Sequence, residues 1–535
     1  MHFQPAEATS GADALDRRTA LIAGASAILG SALLPTGQAW GAGQSHSTAD
    51  PVAGGLIGLR EHGIAAFKGI RYGRAERFAL PYPEPLADSP VKAQKFGPLC
   101  PQRALSDENQ SEDCLFLNVW TPDADPRAKR AVMVYFHGGA YTTGSVTDPL
   151  TQGARLAAGG DVVVVTVNHR LNALGYAWLK PFGASFADSG NLGQLDLILA
   201  LKWVRSNIAR FGGDPARVMV FGQSGGGAKI ATLMAMPAAQ GLFHSAATMS
   251  GQQVQASGPM HAWERTRAFM NDLGLAPNDV ESLRTMPVER LVDDLGTIDP
   301  VMGSGPVYFG PVLDMRNLHR HPFWPDAAPQ SLNVPMILGN THDETRAFLD
   351  PRGPKLQGLE WSNLPDRMAK EIKIDLDPAW VSEQYRAEFP EWTPEQVYYA
   401  ATTAGRSWPG QVIEADARAA AGAGQTWVYQ LDRPSPLDAL RGAAHTDDIP
   451  YVFGTLDAPG SYSGNDADAL RLSDTMMRAF SGLAKSGRPG LPAWSPYALP
   501  ERATMVFNNE TRLVNDPRKW QRELWSRAPY VQPGT

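Results

Sequence analysis

The sequence predicts an α/β fold, a mostly parallel central sheet covered by helices, with helical insertions over the sheet. Three observations predict it. Short β-branched runs alternate with helical patterns from residue 131 onward, the alternation that βα units produce. Those runs are continuously apolar, as strands buried on both faces require. One of them passes through a Gly-rich turn directly into a helical pattern, so strand, turn and helix form one unit.

Length and composition bound the architecture. The chain has 535 residues, 43% of them hydrophobic, which is a globular composition. About 150 residues per domain would give three units, but large open sheets exceed that as one domain, so motif order decides. The 48 Lys and Arg against 55 Asp and Glu leave a formal charge of -7 with no basic block, which excludes a nucleic-acid binder. The two cysteines, Cys100 and Cys114, are too few for a disulfide-dense scaffold or a Cys-rich metal site. One disulfide or two free thiols both fit. Nothing in the sequence fixes an oligomeric state.

The first segment reads as an address. Arg17-Arg18 precede a weakly apolar run from Ala20 to Leu34, followed by Pro35 and the small-residue sites Gly37-Gln38-Ala39 and Ala39-Trp40-Gly41, the layout of a signal peptide. The paired arginines resemble a twin-arginine export signal, and the run is shorter than the roughly 20 residues that span a bilayer. The expectation is a leader over residues 1–39, removed on export to a periplasmic or extracellular location, and one domain over 40–535. No other window reaches transmembrane length, so no stable membrane span is expected after cleavage.

Within that domain, Val132–Phe136, Val162–Val167, Val218–Phe221, Val334–Leu338 and Thr426–Leu431 read as buried strands. Between the second and third, Leu197, Leu201, Val204 and Ile208 recur at helical spacing on one face. Residues 258–330 and 355–420 mix helical patterns with Pro, Gly and Trp and read as insertions over the sheet.

Gly222-Gln223-Ser224-Gly225-Gly226 is the only G-x-S-x-G in the chain. Chance supplies roughly 0.3 such matches in a chain of this length, so context must decide. The strand Val218–Phe221 runs into it and Gly227–Leu233 continues as a helix, which exposes the serine hydroxyl on a tight turn. Serine needs a base to take its proton, and the base needs an acid to hold its tautomer. The run Val334–Leu338 leads into Asp343-Glu344 just past a strand's carboxyl end, where open α/β sheets keep their sites. His445 is the only histidine that follows this pair. His137-Gly138-Gly139-Ala140-Tyr141 follows the strand Val132–Phe136 and suits backbone N–H donors to an oxyanion. The acid is open at this point between Asp343 and Glu344.

Two long strings carry a family resemblance: Glu112-Asp113-Cys114-Leu115-Phe116-Leu117-Asn118-Val119-Trp120-Thr121-Pro122, and Phe211-Gly212-Gly213-Asp214-Pro215 leading to Ser224. Phe67–Tyr72, Val167–Leu171 and Pro489–Trp494 extend it over essentially all of residues 52–525. The chain resembles the type-B carboxylesterases, the cholinesterase and carboxylesterase branch of the α/β-hydrolases. Around Gln223 it is similar to bacterial carboxylesterases of the para-nitrobenzyl-esterase type.

The resemblance implies a serine carboxylesterase that needs no metal or other cofactor. Ser224 would be the nucleophile, Glu344 the acid and His445 the base, with N–H donors from Gly139, Ala140 and Gly225. It also implies a disulfide between Cys100 and Cys114. Gln223 stands where many relatives carry Glu, and the Cys100–Cys114 loop holds no aromatic residue for a cation–π contact, so choline esters are not expected substrates. Tyr141, Tyr308, Phe309, Trp324 and Tyr451 are pocket candidates by the same resemblance. A small-molecule ester is the expected partner. An amidase or a specialised xenobiotic or toxin esterase on the same triad is the alternative within enzymes, and a non-catalytic binding protein the alternative outside them.

Overall fold

The computed structural model describes residues 50–535 apart from 87–89, 106–107, 407, 533 and 535. The expected leader lies outside the described residues.

Eleven strands form the main sheet. They are β1 (Leu59–Glu61), β2 (Ile64–Arg71), β3 (Phe116–Thr121), β4 (Arg130–Phe136), β5 (Val163–Val167) and β6 (Gly213–Gln223). The others are β7 (Ser245–Met249), β8 (Met336–Thr341), β9 (Thr426–Leu431), β10 (Ala503–Phe507) and β11 (Arg512–Asn515). Their order across the sheet is β11-β10-β9-β8-β7-β6-β4-β5-β3-β2-β1. From β10 to β5 every pairing is parallel, and the strands outside that block pair antiparallel.

All five expected strands are present, and the sheet also contains β7, which has the sequence Ser-Ala-Ala-Thr-Met. Alanine and serine carry little strand propensity. The segment is extended because β6 and β8 bind it on both sides and its residues are buried.

Alternate residues of the central strands feed two cores, as the two-residue period of a strand requires. On one face Val132, Val134, Val165 and Val220 pack with Leu197, Leu201, Val204 and Ile208, the first three of which lie on helix α1 (Leu192–Asn207). On the other, Met133, Tyr135, Phe221 and Ile337 pack with Leu472, Met476, Phe480 and Leu483 of a helix spanning Ala467–Ser486. The segment 355–420 forms four helices, Leu364–Ala369, Pro378–Glu388, Pro394–Ala404 and Trp408–Ala420. They share a core of their own around Tyr385, Tyr398, Tyr399 and Trp525.

Register positions the site. Phe136 pairs with both Val167 and Gly222, and Gln223, Met249, Gly339 and Tyr429 form one row across β6 to β9. Strands β6 and β7 end in that row, and β8 and β9 run two residues beyond it. Strand order reverses at β4, whose neighbours are β5 on one side and β6 on the other. The carboxyl ends beside such a switch point are where open α/β sheets form a crevice.

The disulfide expected between Cys100 and Cys114 is not formed in this structure: both residues are buried free thiols. They lie side by side, and the neighbouring Cys100, then burial, push the Cys114 thiol well above its usual pKa. Cys100 Sγ instead accepts the Leu171 N–H at 3.2 Å.

Candidate active site

Strand β6 ends at Gln223, and helix α2 (Gly225–Leu233) begins one residue after Ser224. Ser224 bridges them with φ +55° and ψ −125°, backbone that costs a non-glycine residue of order 1–3 kcal/mol. Two hydrogen bonds hold it there: Ser224 N–H donates to Met249 O at 2.7 Å and Ala228 N–H to Ser224 O at 3.1 Å. The glycines that follow are demanded by space. A Cβ on Gly226 would sit 1.9 Å from Phe136 O, and one on Gly225 would sit 2.1 Å from Ala140 O. The turn after β6 and the loop after β4 thus meet backbone to backbone.

Loop residues past β8 and β9 complete the line of charge. Glu344, fully buried, places Oε2 at 2.5 Å from His445 Nδ1. Its Oε1 accepts from Ser250 Oγ at 2.6 Å, Asn340 Nδ2 at 2.9 Å and Thr341 N–H at 2.9 Å. Burial alone would raise this carboxyl's pKa. The His445 charge and the bonds from His445, Ser250 and Asn340 outweigh burial and hold it below the ordinary glutamate range. An ionised carboxylate only accepts, so His445 Nδ1 is the donor.

Of Asp343 and Glu344, only Glu344 contacts His445. Asp343 does not reach His445; its carboxylate accepts from His342 Nδ1 at 3.0 Å and Ala443 N–H at 3.0 Å. It pins the start of the His445 loop. Among the described residues no hydrogen bond joins Ser224 Oγ to the imidazole. Gln223 Nε2 lies 3.1 Å from His445 Nε2. Catalytic bonds are often absent before substrate binds.

Ser224, His445, Gly139, Ala140 and Gly225 line one cavity of about 540 Å³. Gly139 and Ala140 take φ of +81° and +52°, which turns this loop back over the end of α2. Gly225 is the first residue of its helix, so its N–H has no intrahelical acceptor. Three backbone donors on the wall beside a serine are what an oxyanion requires.

The pocket candidates divide. Gln223, Tyr141 and Tyr308 line the cavity, whereas Phe309, Trp324 and Tyr451 do not. Phe309 packs edge-on to Phe269 in the core, Trp324 stands 54% exposed at the surface, and Tyr451 accepts from Arg433 beneath the sheet's opposite face. Aromatic residues near a site motif in sequence fill core at least as readily as pocket. The structure adds Ser250, Gln252, Gln253, Phe348, Arg406 and Tyr530 to the lining. They come from four separate segments and share no motif that the sequence displays.

Because the folded pKa of Glu344 is depressed, its stabilisation is present in full above the unfolded glutamate value of about 4.3 and is lost as pH falls through the lower folded value. Glu344→Gln removes that titration. The unfolding free-energy gap between the two chains, measured by denaturant titration, is expected to hold steady near neutrality and narrow below about pH 4. A gap independent of pH would contradict the bonded carboxylate.

Comparison with known proteins shows the family. The Carboxylesterase family model matches residues 48–525. The chain is 32% identical to the para-nitrobenzyl esterase of Bacillus subtilis, over 90% of this chain and 98% of that one. It is 30% identical to the phenmedipham hydrolase of Pseudarthrobacter oxydans, over 86% and 95%. The solved carboxylesterase EST55 of Geobacillus stearothermophilus superposes with a TM-score of 0.77 at 34% identity, covering 88% of this chain and 98% of that one. With a fold, a serine turn and relatives that all agree, the chain belongs to the carboxylesterase family and is a carboxylic-ester hydrolase of the α/β-hydrolase fold.

Proposed function

We propose that Ser224 is the nucleophile, His445 the base that serves it, Glu344 the acid that orients His445, and the N–H groups of Gly139, Ala140 and Gly225 the oxyanion donors. Ser224 attacks the ester carbonyl while His445 Nε2 takes its proton, and the carbonyl oxygen gains negative charge against the three amides. His445 then protonates the departing alcohol. Water, deprotonated by the same nitrogen, cleaves the acyl-enzyme and frees the acid. The observation that carries this reading is the bonded chain from Ser250 and Asn340 through Glu344 to His445, ending in the cavity that holds Ser224. Gln223 must release Nε2 before Ser224 can use it.

A second reading concerns the substrate, an ester that carries a carboxylate. Arg406 lines the cavity. Its acidic neighbour Glu371 is 3.6 Å away and is already paired with Lys355 at 2.8 Å. No Asp or Glu is among the described lining residues, so a substrate carboxylate would find a guanidinium fork with donors to spare.

Residues 1–39 act as an export leader to a single catalytic domain over 40–535, supported by Arg17-Arg18 and the apolar run behind them. Outside the cytoplasm the adjacent Cys100 and Cys114 thiols join, each losing a hydrogen to the compartment's oxidant.

Ser224→Ala is expected to lower kcat on a p-nitrophenyl ester by several orders of magnitude and to abolish labelling by a fluorophosphonate; undiminished turnover sinks the nucleophile assignment. Arg406→Gln should cut kcat/KM for p-nitrophenyl hemisuccinate about 10- to 100-fold, the worth of a charged hydrogen bond, and leave the butyrate ester unchanged. Equal losses on both esters rule out the carboxylate reading, and faster cleavage of aryl amides in the same panel would favour an amidase. Intact mass of periplasmic protein should show the leader gone and two hydrogens missing. A retained leader contradicts export, and two free thiols contradict the disulfide.

A further inference from the structure

Five residues after the serine, helix α2 carries Lys229 into a place where a cation has no counter-ion. Its side chain is fully buried, and no carboxylate forms an ion pair with it among the described residues. Its Nζ donates to His137 O at 3.0 Å and to Ala140 O at 2.8 Å and lies 5.6 Å from the centre of the Tyr141 ring. Burying an ammonium without an anion is costly, and a core helix position would be filled more stably by an apolar side chain.

What the two bonds hold is specific. A backbone carbonyl shares its rigid plane with the next residue's N–H. His137 O and Ala140 O therefore belong to the two peptide planes that flank the planes bearing the Gly139 and Ala140 N–H groups. Of the two planes between, the one bearing the Ala140 N–H is pinned too, since Thr142 N–H and Thr143 N–H donate to Gly139 O at 3.1 and 3.0 Å. Both flanking planes are tied to one ammonium, and that ammonium rides on the helix whose first residue, Gly225, supplies the third amide.

We propose that Lys229 is a positioning residue for the oxyanion site: it clamps the loop 137–140 at both ends so that the Gly139 and Ala140 amides converge with that of Gly225. The groups facing it fit this role. From the same loop come His137 and Tyr141, and from the turn after β5 comes His169, stacked on His137 with ring centres 4.8 Å apart. From α1 comes Gln194, whose amide donates to Lys229 O at 3.3 Å. Burial first, then the Lys229 charge, lowers the pKa of both histidines, so each faces the lysine as a neutral ring. Burial also draws the Lys229 ammonium down to about 7. The clamp's charge is thus adjustable near neutrality.

This rests on the reading of Ser224 as nucleophile, and the test separates the two. Lys229→Met keeps the volume and removes the donors; Lys229→Gln keeps a donor without the charge. Both are compared with the unaltered chain for kcat and KM on a p-nitrophenyl ester and for inhibition by a trifluoromethyl ketone, whose adduct with serine places an oxyanion on the amides. The Met variant is expected to lose about 10²-fold in kcat, the order seen for one oxyanion donor, with KM within twofold. Its ketone affinity should fall with kcat/KM, and Gln should recover part of the loss. A folded Met variant with kcat within twofold of the unaltered chain overturns the proposal. So does a kcat loss with unchanged ketone affinity, or failure of both variants to fold, which would make Lys229 a requirement of the core alone. If Ser224→Ala retains activity, the nucleophile reading itself falls.

Discussion

The close meeting of the turn after β6 with the loop after β4 is the constraint on which the site depends. Phe136 O and Ala140 O approach Gly226 and Gly225 so nearly that no side chain fits between them. That approach brings a serine on one strand end and two amides on its neighbour to the same cavity wall. It also forces Ser224 into backbone that a non-glycine residue avoids. The shared register of β4, β6, β7 and β8 makes the meeting possible, since a one-row shift of a strand would move its terminal residue by about 3.3 Å.

Around this contact, two buried charged groups are answered by hydrogen bonds. Glu344 is fully enclosed yet ionised, because an imidazole, a hydroxyl, a side-chain amide and a backbone N–H all donate to it. Lys229 is equally enclosed, with carbonyls rather than a carboxylate for partners. Unsatisfied, either charge would cost the fold several kcal/mol. Satisfied, each locks a piece of the machinery: one the tautomer of His445, the other the loop that carries the Gly139 and Ala140 amides.

Much of this was legible in the chain. Val132–Phe136 and Val218–Phe221 announce themselves as buried strands through unbroken β-branched and aromatic runs, and the glycines around Ser224 mark the turn. His445 follows from chain order alone. Ser245–Met249 was not legible as a strand because Ala and Ser carry no strand signal, and only pairing on both sides extends it. Phe309, Trp324 and Tyr451 sit beside site motifs in sequence but face elsewhere: Tyr451 lies on the helix Ile449–Phe453, and the other two lie in irregular segments without a periodic face.

The sequence by itself determined the sheet, the elbow and the residues able to act as nucleophile and base, since these depend on local periodicity, turn chemistry and order along the chain. Only the tertiary structure put Glu344 rather than Asp343 against His445, placed Gln223 against the imidazole, brought Arg406 to the cavity and set Lys229 beneath the loop 137–140. The contacts of Gln223, Lys229 and Glu344 join residues at least 89 apart in the chain. Such contacts are fixed by strand register and by the packing of helices on the sheet, which no local pattern encodes.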